Sequence, residues 1–435
     1  MFRFLLPLAI AALAVQSAQA ENDRAPPGAL TPSAVAASRG LTLADALALA
    51  ARIHPGLSAA QREIEAVDGA REQAGASPNP TIGLEVENTR REERTTTLLL
   101  SQPLELGGKR GARIEAAERA REIAALRFGQ RSADLRANVT AAYFAALIAQ
   151  ERLRLAQDSL ALARTSRDAA GKRVAAGKVS PVEETKSRVA QASVALEVVQ
   201  ARGELQSSLH ALRAAIGSQS VAVDRLDGSA DTLPTAPSLD GVEQRLAQAP
   251  AARLAALEVR RYGALAQLEQ ARRVPDLTLT LGAKRTPELD GRNEAVLGVS
   301  IPLPIFDGNS GNITEALRRE DKARDAAAET ELQLRADALS AHQRLTTART
   351  EALAILQEIL PGAQSAFDAA TKGFELGKFS FLETLDAQRT LFQARAQYLR
   401  SLADAHRAAT DLDRLLGASA EQTALISQEQ AGVKP

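Results

Sequence analysis

The side chains that usually carry chemistry are few in this chain and poorly placed to act together. Its four histidines, His54, His210, His342 and His406, contain no i,i+4 pair, the spacing that puts two imidazoles on one helical face as metal ligands. They read as surface or packing residues. There is no cysteine, which removes disulfides, thiolate zinc sites and thiol nucleophiles together. The only methionine is the first residue, so thioether ligation of copper is excluded as well. Nothing places a histidine beside a nucleophile. No catalytic residue, resident metal site or cofactor is expected.

Two short turns are more informative. Gly177-Lys178-Val179-Ser180 recurs as Gly377-Lys378-Phe379-Ser380, displaced by 200 residues. The glycine suits a left-handed backbone reversal. The serine can cap a returning helix, with Glu183 and Glu383 three residues on as capping-box partners. A phosphate loop is ruled out, because Lys172 and Lys372 stand where its first glycine is required. Glu383 and Asp386 are three apart and share a helix face, a spacing that can stack carboxylates. Lys186 occupies the place of Asp386 in the first copy, so the two copies are not equally acidic.

These turns need long elements on both sides. Ala112 to Ala176 contains no proline and only Gly129 and Gly171, and Asn312 to Leu360 contains neither residue type. At 1.5 Å per residue, some 60 helical residues extend about 90 Å. Pro361-Gly362 should kink or interrupt the second long helix. Alanines separate spaced large residues, Val189, Leu196, Leu205, Leu209, Leu212 and Ile216 in the first return helix and Leu391, Leu399, Leu402, Leu412 and Leu415 in the second, a pattern for closely packed antiparallel helices. Ser101-Gln102-Pro103-Leu104 also recurs, as Ser300-Ile301-Pro302-Leu303. Two repeats follow, 41–217 and 238–417, joined by a Pro-, Gly- and Ser-containing linker at 218–237. Each reads helix, strand pair, very long helix, tight turn, returning helix.

The strand pairs, about 80–106 and 276–305, alternate apolar and polar residues. Ile82, Leu84 and Val86 share one face in the first; Leu277, Leu279 and Leu281, then Ala295 through Ile305, share one in the second. Such patterning suits a transmembrane hairpin, with lipid outside and water inside, and equally a soluble hairpin resting on a core. Four strands cannot close a barrel, and open edges are not tolerated in lipid. If the strands lie in a membrane, several copies must share one barrel; three would supply twelve strands.

Composition agrees with an extended helical protein. Lys+Arg and Asp+Glu number 53 each, the aromatic share is 3% and tryptophan is absent. Zero net charge argues against nucleic-acid binding. Residues 1–20 combine Arg3, an apolar run and Ala18-Gln19-Ala20, the pattern of a cleaved signal peptide. No cysteine follows to carry a lipid, and no later apolar stretch is long enough for a spanning helix. Segments 21–40 and 418–435 lack periodicity.

In this order the motifs resemble the TolC-like outer-membrane factor family. The carriers are Leu41-Thr42-Leu43-Ala44-Asp45-Ala46 with His54-Pro55, Pro78-Asn79-Pro80-Thr81, and the twinned Gly-Lys-x-Ser turns with 382–388. The strand exits 103–110 and 301–307 resemble the cation-efflux (CzcC-like) branch. The resemblance implies a mainly α protein with a small transmembrane β part. It implies a homotrimer whose 12-stranded barrel, four strands per protomer, spans the outer membrane of a Gram-negative bacterium and continues into an α-helical periplasmic tunnel. Its implied partners are a periplasmic adaptor and an inner-membrane RND transporter. The implied role is exit duct of a tripartite pump for divalent cations such as cobalt, zinc and cadmium. A duct for drugs or secreted polypeptides is the alternative, and a periplasmic scaffold or adaptor the rival from another class. Gly177, Lys178, Val179, Ser180, Gly377, Lys378, Phe379 and Ser380 match the adaptor-docking tips. Glu183, Glu383 and Asp386 match the aperture acids. Lys186 is gate-adjacent and is expected to pair with a neighbouring acid. Phe374 and Phe379 occupy the family's polar locking positions, so the gate is expected to rest on apolar packing.

Overall fold

The structure, a computed structural model, describes residues 40–417 except 89, 91, 92, 222, 224, 230, 287–292, 377 and 380. The expected signal peptide, most of the 21–40 segment, the 418–435 tail, Gly377 and Ser380 lie outside the described residues. The first repeat opens with α1 (Leu43–Ile53) and α2 (Pro55–Gly75). Thr42 and Asp45 form a reciprocal capping box at the start of α1. The His54 Nδ1 atom accepts the Gly56 amide (3.0 Å) and so caps α2. Strands β1 (Thr81–Glu87) and β2 (Thr95–Leu104) lead into α3 (Lys109–Ala175), which returns through α4 (Pro181–Ile216). The second repeat has α5 (Leu239–Leu246), α6 (Pro250–Arg272), β3 (Leu277–Arg285), β4 (Asn293–Ser300), α7 (Ser310–Ala354), α8 (Leu360–Glu375) and α9 (Phe381–Leu416).

Helix α3 contains 67 residues, about 100 Å at the helical rise. Alanine dominates its buried positions, among them Ala116, Ala124, Ala137, Ala146, Ala163 and Ala170, and small side chains let α4 and α9 approach closely. Larger side chains gather at mid-length. Val139, Tyr143 and Leu147 pack with Leu212 and Ile216 of α4, Leu402 of α9 and Ile355. The Tyr143 hydroxyl donates to the Asp227 carbonyl (2.5 Å), with the Leu41 carbonyl 3.2 Å away, and the Gln150 amide bonds both backbone groups of Leu226. The linker is thereby tied to the middle of α3. His406 stacks on Phe144 at 3.7 Å, and His342 meets the Pro237 carbonyl (2.9 Å).

Pro361 interrupts the second long helix in a particular way. Residues Ile355–Ile359 form a π turn between α7 and α8, so one widened turn absorbs the missing amide and the chain runs on helically.

The four strands make one antiparallel sheet in the order β1-β2-β3-β4. Its rows are in register: Ile82 faces Leu100, Leu100 faces Leu281, and Leu281 faces Leu297. All four project away from the chain; Ile82 is 78% and Leu297 77% exposed. This row crosses every strand; Leu84, Leu98, Ala283 and Ala295 extend it on one side, and Leu279 and Val299 on the other, where Gln102 is the β2 member. The opposite face carries Thr81, Ser101, Thr280, Glu85, Thr97, Lys284 and Glu294; Ser101 and Thr280 hydroxyls hydrogen-bond at 3.0 Å. The outer edges of β1 and β4 pair with nothing in the described chain. The expected continuation of β4 to Ile305 is not found: pairing stops at Ser300.

Candidate functional site

The far ends of the helical hairpins bring most of the singled-out residues to the surface. At the first, the Lys178 amide donates to the Arg173 carbonyl and the Gly177 amide to Val174 (both 2.9 Å), while Gly177 adopts φ +67°. This is the left-handed closure that ends a helix without a Cβ clash. Pro181 then starts α4, where its absent amide leaves no bond unmade. Ser180 does cap α4, but its hydroxyl accepts from Val182 (3.3 Å). The Glu183 amide donates to the Ser180 carbonyl instead (3.0 Å), so the expected box with Glu183 does not form. Glu183 and Glu184 lie in the first turn of α4, where the helix N-terminus favours negative charge. At the second turn, the amides of Lys378 (2.8 Å) and Phe379 (3.2 Å) converge on the Gly373 carbonyl.

The aperture acids are separated within one chain. Glu183 sits half-buried on α4, and Glu383 and Asp386 are exposed on α9. Helix α4 packs on α3 and α1, whereas α9 packs mainly on α3, α7 and α8. Thr384, between the two acids, is buried and donates to the Ala370 carbonyl (3.2 Å), fixing this part of α9 on α8. Lys186 is exposed, and the expected pairing with an acid is absent among the described residues; its neighbours Glu184 and Arg188 pair with each other at 3.4 Å.

The two phenylalanines behave differently from each other. Phe379 folds its ring over Gly373, where any side chain would collide with it; this is apolar packing within one hairpin. Phe374 instead receives Arg173 from the other hairpin. The guanidinium carbon lies 3.8 Å from the ring centroid, and Nη2 donates to the Phe374 carbonyl at 2.8 Å. A stacked cation with a directed hydrogen bond holds the two tips together. Beside the apolar packing expected at these two positions, Phe374 thus takes a cation and a hydrogen bond, and Arg173 is the residue sequence reasoning missed. A signal existed: Arg173 and Val179 in the first copy stand opposite Gly373 and Phe379 in the second, so bulk is exchanged between two positions.

A second cluster ties the sheet to the helices. Arg113 forms a bidentate ion pair with Glu105 and donates to the Ala76 carbonyl (3.0 Å), and Arg110 donates to Gly75 (2.7 Å). Asp276 Oδ1 accepts from Lys109 Nζ (2.8 Å) and the Leu106 amide (3.1 Å). The Gly-Gly-Lys-Arg exit of β2 thus works as a joint between strand and helix. Hydrogen bonding to Glu105 raises the pKa of Arg113 above its ordinary value, so the joint stays charged. Among the described residues no group of three or more His, Asp or Glu could hold a metal ion, and no helix is long and apolar enough to cross a membrane.

The model of the family described as outer membrane efflux protein matches residues 46–218 and again 241–418. The chain belongs to this family. The cobalt-zinc-cadmium resistance protein CzcC of Cupriavidus metallidurans is 45% identical over 96% of this chain and its own entire length. The nickel-cobalt-cadmium resistance protein NccC of Alcaligenes xylosoxydans is 31% identical over 57% of each chain. Among solved structures, CusC superposes with a TM-score of 0.72 at 20% identity, covering 87% of this chain and 92% of that one. The fold of this outer membrane efflux protein is therefore that of the TolC-like channels.

Proposed function

We propose that the protein is the outer-membrane exit duct of a tripartite RND-type efflux pump and that its cargo is divalent heavy-metal cations. One observation carries the reading. A sheet with an uninterrupted outward apolar band and two unpaired edges is joined to helices about 100 Å long, and only a closed, shared barrel makes such edges tenable in lipid. Three copies give a twelve-stranded barrel, and the long helices then form a tunnel on its periplasmic side. The near full-length similarity to a cobalt-zinc-cadmium resistance protein supports the choice of cargo.

In this reading the two repeats meet at the 218–237 linker, and their tips, 177–180 and 377–380, dock a periplasmic adaptor. Glu183, Glu383 and Asp386 form carboxylate rings once the copies assemble, raising local cation concentration while letting ions leave. The Arg173–Phe374 contact holds the entrance closed, with Lys186 on the same rim. The protein performs no chemistry on its cargo, and its mature N-terminus carries no lipid. Deleting the gene and restoring it is the direct test: tolerance to zinc, cobalt and cadmium should fall and recover while drug tolerance stays level. Loss of drug tolerance alone would favour a drug duct. Release from membranes by carbonate without detergent would favour a periplasmic scaffold.

A further inference from the structure

The two hairpins are copies of one unit, and this repetition dictates how their free edges meet. Ser101-Gln102-Pro103-Leu104 of β2 corresponds to Ser300-Ile301-Pro302-Leu303, a shift of 199. Ser101 faces Thr81 across the first hairpin and Ser300 faces Thr278 across the second, so β1 maps onto β3 with a shift of 197. Between the hairpins, β2 and β3 pair with Leu98 opposite Ala283, Leu100 opposite Leu281, Gln102 opposite Leu279 and Leu104 opposite Leu277. Applying the two shifts to those rows gives the missing junction. We propose that β4 pairs antiparallel with β1 of a second copy, with Leu297 opposite Val86, Val299 opposite Leu84, Ile301 opposite Ile82 and Leu303 opposite Pro80. This rests on the reading of the sheet as one part of a shared barrel.

Three features of the single chain support this register. It puts Leu297, Val299, Ile301, Val86, Leu84 and Ile82, all exposed, on one outward face, as the side-chain alternation of strands demands. It also accounts for the early end of β4. Strand β2 runs on to Leu104, past Ser101 where β1 releases it, because β3 pairs with 102–104. At the equivalent place β4 loses β3 after Ser300 and has no other neighbour. Pro103 and Pro302 both lie just past the last residue paired within their own hairpin, so their absent amides cost that hairpin nothing. A second copy supplies the missing partner and turns 301–303 into strand.

The third feature is steric. Leu99 faces Gly282, and a Cβ at Gly282 would sit 2.5 Å from the Leu98 carbonyl oxygen and 2.7 Å from Leu99 Cδ2. The derived row places Gly298 opposite Glu85, again one glycine beside one long side chain, with the glycine now on the other strand. A slip of two residues removes this match, setting Glu85 against Val296 or Ser300.

The chain has no cysteine, so paired substitutions report the register directly. Opposed residues lie about 4.5–5.5 Å apart at Cα, whereas diagonal ones lie about 7–8 Å apart, at or past the limit for a disulfide. Val299→Cys combined with Leu84→Cys should, on oxidation in intact outer membranes, give covalent dimers and trimers on denaturing gels. Val299→Cys with Ile82→Cys or with Val86→Cys should give at least about fivefold less. Leu100→Cys with Leu281→Cys, opposed inside one chain, is the positive control, and Ile301→Cys with Ile82→Cys repeats the test one row on should the first pair not fold. A slipped pair that cross-links best overturns the register and leaves the barrel standing. So does failure of both matched pairs in a protein that remains oligomeric while the control closes. A monomer in detergent, with no cross-link between chains at any matched or slipped pair while the control closes, removes the barrel itself.

Discussion

At the scale of single residues, the proposed gating role of the tip contact can be divided between charge and geometry. Arg173 uses both its charge and its plane, the first on the ring of Phe374 and both together on the carbonyl. Lysine can supply the charge but not the stacked fork. Arg173→Ala should therefore raise single-channel conductance in planar bilayers, and Arg173→Lys should fall between it and the parent. The contact is worth about 1–2 kcal/mol, enough for a roughly tenfold shift in a closed–open balance. Unchanged conductance in both variants would remove this contact from the gate. On the proposed reading, the acids act on passing cations through their potential. Glu383→Ala with Asp386→Ala should weaken block by divalent cations and leave the closed state in place; retained block would put these carboxylates off the conduction path.

At the scale of elements, the joint between sheet and helices is the place where one side chain serves several chain segments. Glu105 is largely buried, and Arg113 both neutralises it and satisfies the carbonyl at the end of α2. Removing the cation leaves a shielded carboxylate with no counter-charge, the costly half of a broken ion pair. Arg113→Ala should destabilise the protein by about 2–4 kcal/mol, whereas Arg113→Ala with Glu105→Leu should recover most of that. Thermal unfolding in detergent checks both, and equal losses in the single and double variants would show that the charge is not what matters. The sequence made the strands themselves legible, because period-two alternation in β1 and β3 marks a strand with one apolar face, whether lipid or a core covers that face. The long helices were equally legible from the absence of proline and the abundance of alanine. The joint was not: Arg113 and Glu105 are ordinary helix-start and loop residues by type, and only the folded chain brings Asp276 beside Lys109, 167 positions away. The Arg173–Phe374 contact was hidden for the same reason, its members being 201 apart.

At the scale of the whole molecule, one element is under-packed in a way that calls for another copy. The large residues of α4 divide: Leu209, Leu212 and Ile216 are buried, while Val182, Val189, Leu196 and Val199 are exposed. Val182, Val189 and Leu196 are spaced by seven and Val199 follows three on, the spacing of a coiled-coil seam. Its counterpart α9 packs on α3, α7 and α8, whereas α4 packs on α3 and the short α1, so the long partner that α9 finds across the repeats is the one α4 lacks. In the proposed assembly, the repeat order would give that role to α7 and α8 of the next copy. Replacing Val189 and Leu196 together with lysine should leave the helix itself intact, since both positions are exposed in the single chain. Assembly would lose the burial of two apolar side chains, about 1.5–3 kcal/mol each, and meet two desolvated charges besides. Light scattering in detergent should then show the oligomer dissociating at protein concentrations where the parent stays assembled. An unchanged mass would place this face of α4 in water and leave the barrel strands alone to hold the copies together.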